Sequence, residues 1–196
     1  MDYPCVTTYV IIGNQVDIKF LHKNLRNLFT QKQNHLRDVA RTMFPHWTGY
    51  QADGYFCELS LVNSRRITFK VITATSPDIK IWFDIFRKYQ TVRCYYYADH
   101  AHSNQYKTND SSGKYFPARY MIVSSSGIRH SVVSHHEMYN TAARIVPVQS
   151  AFPTLEAFGQ AISEHRAHIS IYDIIVVDQR GKCLTPTTQM IGQYIQ

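Results

Sequence analysis

The sequence predicts an α+β fold, and three observations lead to that prediction. Short runs rich in β-branched and aromatic residues, several of them alternating apolar with polar side chains, are typical of strands. Segments with apolar residues three and four positions apart lie between these runs and are typical of helices. Over residues 1–100 the order is strand, helix, strand, strand, helix, strand, which predicts a ferredoxin-like β-α-β-β-α-β unit with an antiparallel sheet and two helices.

The first strand and the first helical segment are predicted from local composition. Residues 6–12 are mostly β-branched or aromatic and stop at Gly13. Asn14 follows, and its side-chain oxygen can cap a helix by accepting a hydrogen bond from a free N–H of the first turn. Apolar residues at helical spacing then continue towards Pro45, either in one long helix or in two short helices divided near residues 30–34.

A hairpin, a second helix and a fourth strand complete this unit. Residues 55–61 and 67–71 alternate apolar with polar side chains on either side of the turn-forming residues 63–65. Residues 76–78 (Ser-Pro-Asp) predict a helix start, because a hydroxyl cap precedes a proline at the first helical position. An apolar helix follows, and residues 92–97 form the last strand.

The chain is predicted to divide within the polar segment 98–114. Residues 1–100 form the ferredoxin-like unit, and residues 115–196 form a C-terminal α+β extension that we expect to pack on it in one compact domain. The patterns of the extension predict a hairpin, two helices and an apolar strand, in the order 115–133, 135–145, 154–166 and 169–177.

Composition limits the classes of function. The net charge of +7 and the pI near 9.2 favour an anionic partner, either a protein or a nucleic acid, and self-association stays open. The cysteines are far apart and the histidine spacings match no established zinc signature, so neither a metal nor a cofactor is predicted. No signal-peptide pattern and no segment of membrane-spanning length occurs, so a cytoplasmic protein without a membrane partner is predicted.

One stretch of the chain combines core and cap residues in a recognisable way. A strand over residues 67–74 ends in Thr-Ala before the Ser-Pro-Asp helix start, and the strand Val92-Arg-Cys-Tyr-Tyr-Tyr follows the helix. This combination resembles the YubB ferredoxin-like family over about residues 1–120, with Thr75 where that family tends to carry a tryptophan. Those proteins are carried on plasmids, phages and integrative elements, so the resemblance implies their fold and a mobile-element origin. It implies no activity.

The sheet of such a unit has one face covered by helices and one face available for binding. Strand alternation predicts that Val10 and Ile12 of the first strand point towards the helices. The available face then carries an aromatic and basic set, Tyr9, Lys70, Arg93, Tyr95 and Tyr97. Tyrosines between basic residues can stack on bases while the charges neutralise phosphates. The alternative is that residues 115–196 pack on this face and bury it.

A second constellation resembles the motif pair of two-histidine phosphoesterases. In those enzymes each motif has a histidine and a hydroxyl residue two positions later, so one histidine acts as base, the other as acid, and the hydroxyls hold the phosphate. His168 and Ser170 fit this pattern, and His46 and Thr48 fit it except that a glycine follows the hydroxyl residue.

The sequence therefore supports two hypotheses of function. The first is a small non-enzymatic binding or accessory protein of a mobile element, which acts on a protein or nucleic-acid partner through the aromatic and basic face. The second is a phosphoesterase acting on nucleotide or RNA phosphates. A shared cleft for His46 and His168 would favour the enzyme, whereas exposure of Tyr95 and Tyr97 would favour the binding protein.

Overall fold

The described part of the chain is a mixed α+β protein with mostly antiparallel sheets, which confirms the predicted class. The computed structural model describes residues 4–43, 53–74, 77–100, 103–145, 154–164, 169–178 and 182–184. Two compact units divide the chain, Met1–Asn104 and Gln105–Gln196, and the division lies inside the predicted boundary segment 98–114. Within the described residues, no helix combines the length and apolarity needed to cross a membrane.

The first unit contains a four-stranded antiparallel sheet and helices in the connections between its strands. Its elements are β1 (Cys5–Ile12), α1 (Gln15–Thr30), α2 (Leu36–Met43), β2 (Tyr55–Asn63), β3 (Arg66–Thr73), α3 (Ile79–Phe86) and β4 (Arg93–His100). The strand order is β2-β3-β1-β4, with every neighbouring pair antiparallel. Each helical connection therefore skips one strand, because β3 lies between β1 and β2, and β1 lies between β3 and β4. The first helical segment is divided into two helices, one of the two arrangements that the sequence left open.

The start of α1 is fixed by a small polar network. The Asn14 side chain caps the helix by accepting a hydrogen bond from the Asp17 N–H at 2.7 Å, as predicted. The Thr91 hydroxyl donates to the Asp17 carboxylate at 2.5 Å and accepts from the Asn14 N–H at 3.2 Å. A Cβ on Gly13 would lie 3.1 Å from a methyl group of Val92, so a larger residue at this position would require the Val92 side chain to shift by a few tenths of an ångström. These contacts tie the first turn of α1 to the segment that leads into β4.

Aromatic rings form the centre of the first unit's core. Tyr9 of β1 stacks on Phe69 of β3 at 5.0 Å between ring centroids, and the Trp82 ring of α3 lies 4.5 Å from Phe69 and 5.6 Å from Tyr9. Phe56 of β2 meets Trp82 at 6.4 Å and Phe29 of α1 at 5.9 Å. Because α1 and α3 both contact Phe56, both helices pack on the same face of the sheet.

Two polar atoms in this core lack a hydrogen-bond partner. The Tyr9 hydroxyl and the Trp82 indole N–H are shielded from solvent, and neither finds a partner in the described part of the chain. Burial raises the pKa of Tyr9 well above its ordinary value, with further contributions from nearby groups, Cys94 first among them. An unmade hydrogen bond of this kind costs about 1–3 kcal/mol.

The substitution Tyr9→Phe is expected to increase the free energy of unfolding of the first unit by about 1 kcal/mol, because it removes an unpaired buried hydroxyl and keeps the ring. Tyr9→Leu is the matched control and should decrease it by about 3 kcal/mol, since the ring contacts are lost. Both tryptophans of the sequence precede residue 104, so tryptophan fluorescence in a urea titration reports on this unit. A Tyr9→Phe protein that unfolds more easily than the parent would show that the hydroxyl has an acceptor.

The second unit has its own sheet and helices. Its elements are β5 (Gln105–Thr108), β6 (Tyr120–Ser124), β7 (Arg129–Val132), α4 (His135–Ile145), α5 (Leu155–Glu164), β8 (Ile169–Asp173) and β9 (Ile175–Val176). The sheet order is β7-β6-β8, all antiparallel, and β5 pairs with β9 in parallel. The predicted hairpin and both predicted helices occur. The predicted apolar strand is divided into β8 and β9 at Ile174, whose N–H donates to the Arg119 carbonyl at 2.8 Å.

An apolar core holds this unit together. Its members come from all three strands of the sheet and from both helices, and they are Ile122, Val132, Met138, Ala142, Phe158, Ile162, Ile169 and Ile171. Tyr139 of α4 lies 4.5 Å from the Phe158 ring of α5, so the two helices meet above the sheet. The second unit therefore has a hydrophobic cluster of its own.

The connection between β5 and β6 folds around one buried carboxylate. Asp110 is 0% exposed and accepts hydrogen bonds from the Ser112 hydroxyl at 2.6 Å and from the Tyr115 and Phe116 N–H groups at 2.6 and 2.9 Å. Burial acts to raise the pKa of this carboxyl, but the hydrogen bonds from Ser112 and from the backbone of Phe116, Tyr115 and Lys114 outweigh it and lower the pKa below its ordinary value. The carboxylate thus accepts hydrogen bonds from backbone N–H groups that have no strand partner in this loop.

The guanidinium of Arg119 closes the same connection from its other end. It donates to the carbonyls of Phe116 at 2.9 Å, Ala118 at 2.8 Å and Asp110 at 3.1 Å. The carboxylate accepts hydrogen bonds from N–H groups of this segment, and the guanidinium donates hydrogen bonds to its carbonyls. Together these bonds fix the path of the chain into β6.

Asp110→Asn is expected to loosen this connection, because the amide offers one acceptor oxygen where the carboxylate offers two. Protection of the Tyr115 and Phe116 amides against hydrogen exchange should fall about tenfold or more. In the parent protein the stabilisation is complete above the ordinary carboxyl pKa of 3.8 and is lost as the pH falls through the lower folded value. Protection should therefore decline below about pH 4 in the parent and equally in a Glu156→Gln control, which keeps the Asp110 carboxylate, but not in Asp110→Asn. Equal pH profiles for parent and Asp110→Asn would contradict this account.

Candidate functional site

The face of the first unit's sheet opposite α1 and α3 carries the candidate site, and we call it the distal face. Since Tyr9, Phe69 and Tyr96 are cross-strand neighbours on the helix-covered face, the distal face is built by the alternate positions of each strand. These positions are Val6, Thr8, Val10 and Ile12 of β1, Arg66, Thr68, Lys70 and Ile72 of β3, and Arg93, Tyr95, Tyr97 and Asp99 of β4.

Tyr9 does not belong to the distal face, so this part of the prediction is wrong. The side chain is 0% exposed and lies among the core rings, and Val10 and Ile12, predicted to face the helices, lie on the distal face instead. The sequence of β1 explains the error. Its residues at both alternate positions are apolar or β-branched, so hydrophobicity alone does not decide which set points inward. The orientation predicted for β3 and β4 agrees with the structure.

The other four residues of the predicted surface lie together on the distal face. Thr8 at the centre has Lys70 on one side and Tyr97 on the other, and Val10 in the next row has Tyr95 beside it. Arg93 is exposed, whereas Lys70, Tyr95 and Tyr97 are half-buried. Both tyrosines therefore keep some accessible surface, although the hydroxyl of Tyr97 is shielded from solvent. Whether residues 115–196 cover this face stays a prediction.

Arg66 is an additional basic residue of the distal face that the sequence analysis assigned to no site. Ile12 separates Arg66 of β3 from Arg93 of β4, so the two arginines are the outer members of one row. The Nε–H of Arg66 is shielded from water and has no acceptor in the described part of the chain. The sequence could have indicated this position, because Arg66 lies four residues before Lys70 and alternation places both on the same face of β3. Arg66 was missed because it directly follows the turn residues 63–65.

Charge is distributed unevenly along the distal face. Lys70 forms an ion pair of 2.7 Å with Glu58, which has a positive φ of 53° where β2 shifts register. Asp99 is beside Val6, at the opposite end of the face from Ile12 and its two arginines. Neither Arg66 nor Arg93 forms an ion pair among the residues that the structure describes. The uncompensated positive charge is therefore at the arginine end.

The predicted phosphoesterase residues are only partly within the described chain. His46, Thr48 and His168 lie outside the described residues. Ser170 is half-buried in β8 opposite Val123 of β6, on the alternate positions from the core residues Ile169 and Ile171. The arrangement that this enzyme requires stays a prediction.

The described residues contain no assembled site for cysteine or metal chemistry. The cysteines form no disulfide within the described part of the chain, where Cys5 and Cys94 are buried, Cys57 is half-buried and Cys183 is exposed. Burial raises the pKa of Cys94 well above its ordinary value, which makes it a poor nucleophile. No group of three or more metal-ligating side chains comes together there.

A cluster of titratable side chains in the second unit joins two strands to α4. The Tyr120 hydroxyl lies 2.7 Å from His135 Nε2, and the His135 ring stacks on Tyr139 at 6.4 Å between centroids. Asp173 is the cross-strand neighbour of Tyr120. Burial raises the pKa of the Asp173 carboxyl, and His135 acts in the opposite direction. The separation of these residues in the sequence left no signal for their contact, and the contact fixes the first turn of α4 on the sheet.

Comparison of the chain with protein-family models, with curated proteins and with solved structures finds no match. The resemblance to the YubB family thus stays a prediction, and the distal face is the main evidence on function.

Proposed function

We propose that this chain is a non-enzymatic accessory protein that binds single-stranded nucleic acid on the distal face. The observation that carries the proposal is the alternation along β4, where Arg93, Tyr95 and Tyr97 occupy successive positions on one face. Stacking of a base on an aromatic side chain contributes about 1–3 kcal/mol and tolerates any base. The tyrosines therefore supply affinity, and the neighbouring basic residues supply contacts to the backbone.

A protein partner is the other form of the accessory hypothesis, and the charge of the face favours nucleic acid over it. Arg66 and Arg93 lie on the same face as both tyrosines and form no ion pair among the described residues. The net charge of +7 attracts polyanions over long distances. Half-buried tyrosines are also already restrained, so less side-chain entropy is lost when a base stacks on them.

We further propose that the first unit is ferredoxin-like, in the sense that two β-α-β units interlock in one antiparallel sheet. Two features support it, the order β2-β3-β1-β4 and the packing of α1 and α3 on the same face. This arrangement leaves the distal face free of α1 and α3. The mobile-element origin is proposed on the family resemblance alone.

Binding is tested with a fluorescein-labelled oligouridylate of about 12 nucleotides, the DNA of equivalent sequence, and a duplex of the same length. Fluorescence anisotropy should show binding of both single strands that weakens steeply between about 50 and 200 mM salt, with much weaker binding of the duplex. Tyr95→Ala and Tyr97→Ala should each weaken single-strand binding about tenfold. Tyr95→Phe keeps the ring and should retain the parent affinity.

Phe20→Ala is the matched control, because it removes an exposed ring from α1 on the other side of the sheet. It should leave binding unchanged, and circular dichroism should show that each variant is folded. Failure of the parent protein to bind either single strand would overturn the proposal in favour of a protein partner. Equal binding by the parent and both alanine variants would remove the distal face as the site.

A further inference from the structure

We infer that Arg66 and Arg93 form a clamp for one backbone phosphate, so that the distal face holds a short single strand with a phosphate at its arginine end and bases on the tyrosines. This inference rests on the proposed function and assigns the phosphate contact within it. It begins from the row in which Ile12 of β1 lies between the two arginines.

The spacing of the row fits one phosphate group. Neighbouring strands lie about 4.8 Å apart, so the Cα atoms of Arg66 and Arg93 are separated by about 10 Å across Ile12. Both side chains leave the sheet on the same face, and an arginine stem is long enough for the two guanidinium groups to converge above Ile12. Two guanidinium groups can share the oxygens of a single phosphate, since each presents paired N–H donors to two oxygens.

No carboxylate of the described chain is paired with either arginine, and the Glu58 carboxylate is bound by Lys70 at 2.7 Å. The shielded Nε–H of Arg66 also lacks an acceptor there. A phosphate that draws this side chain outward would receive the hydrogen bond that the folded chain leaves unmade.

The position of the clamp relative to the tyrosines sets the class of ligand. Arg93, Tyr95 and Tyr97 are separated along β4 by two residues each, or about 6.7 Å per step. A strand that runs along β4 can therefore place its phosphate at the arginine row and its next two bases on the rings. A rigid duplex cannot do this, because its bases are stacked on each other and face inward.

The experiment measures how the association constant of the full chain for the labelled oligouridylate depends on salt. For single strands the slope of log K against log salt is about −0.7 for each phosphate neutralised. The double substitution Arg66→Gln with Arg93→Gln should weaken binding more than tenfold and make the slope about 0.7 less negative, as expected for one shared phosphate. Each single substitution should weaken binding by a smaller factor, and Arg93→Lys should retain the slope but lose affinity because the fork is absent.

Arg26→Gln on the exposed side of α1 is the control, with the same change of charge as each single substitution but away from the distal face. It should leave both affinity and slope close to those of the parent. A slope change near 1.4 in the double variant would mean two separate phosphates and would overturn the clamp. An unchanged slope in the double variant would also overturn the clamp. If Tyr95→Ala still lost binding in that case, the proposed function would stand without the clamp. Absence of binding by the parent protein would overturn both.

Discussion

The packing of Tyr9 against Phe69 and Trp82 is the constraint on which the first unit depends. The Tyr9 ring stacks on Phe69 at 5.0 Å and meets Trp82 at 5.6 Å, so it fixes β1, β3 and α3 against one another. Because strand side chains alternate between faces, the inward position of Tyr9 determines the direction of every other side chain in β1. It also determines the distal face, since β1 is the central strand between β3 and β4.

The same packing has an energetic cost that the unit tolerates. The Tyr9 hydroxyl and the Trp82 indole N–H remain without partners among the described residues, although large rings in contact bury much apolar surface. Burial of an aromatic ring contributes more than an unmade hydrogen bond costs, so the packing of Tyr9 is favourable in spite of its hydroxyl, and a phenylalanine would keep the ring contacts without that cost. We find no described contact that requires the Tyr9 hydroxyl.

The two units are stabilised by different kinds of interaction. The first depends on an aromatic core beneath the sheet. The second combines an aliphatic cluster with a loop held by the carboxylate of Asp110 and the guanidinium of Arg119. Both charged groups satisfy backbone atoms that have no strand partner, and in this way a long connection is held in one conformation.

The sequence by itself determined the α+β class, the order of elements in the first unit, the Asn14 cap and the orientation of β3 and β4. These follow from local patterns, in which one set of alternate residues is clearly apolar and turns are marked by glycine, proline and polar residues. It also named Lys70, Arg93, Tyr95 and Tyr97, which share the distal face.

Only the tertiary structure decided the orientation of β1, and with it the removal of Tyr9 from the candidate surface and the addition of Arg66 beside Ile12. Both alternate sets of β1 are apolar enough to be buried, so the choice depends on which set fits the rings of Phe69 and Trp82. The contact between Tyr120 and His135 was likewise decided by folding, because it joins residues that no sequence spacing relates. Local patterns determine the elements, whereas complementary packing between distant residues determines which face of each element becomes a surface.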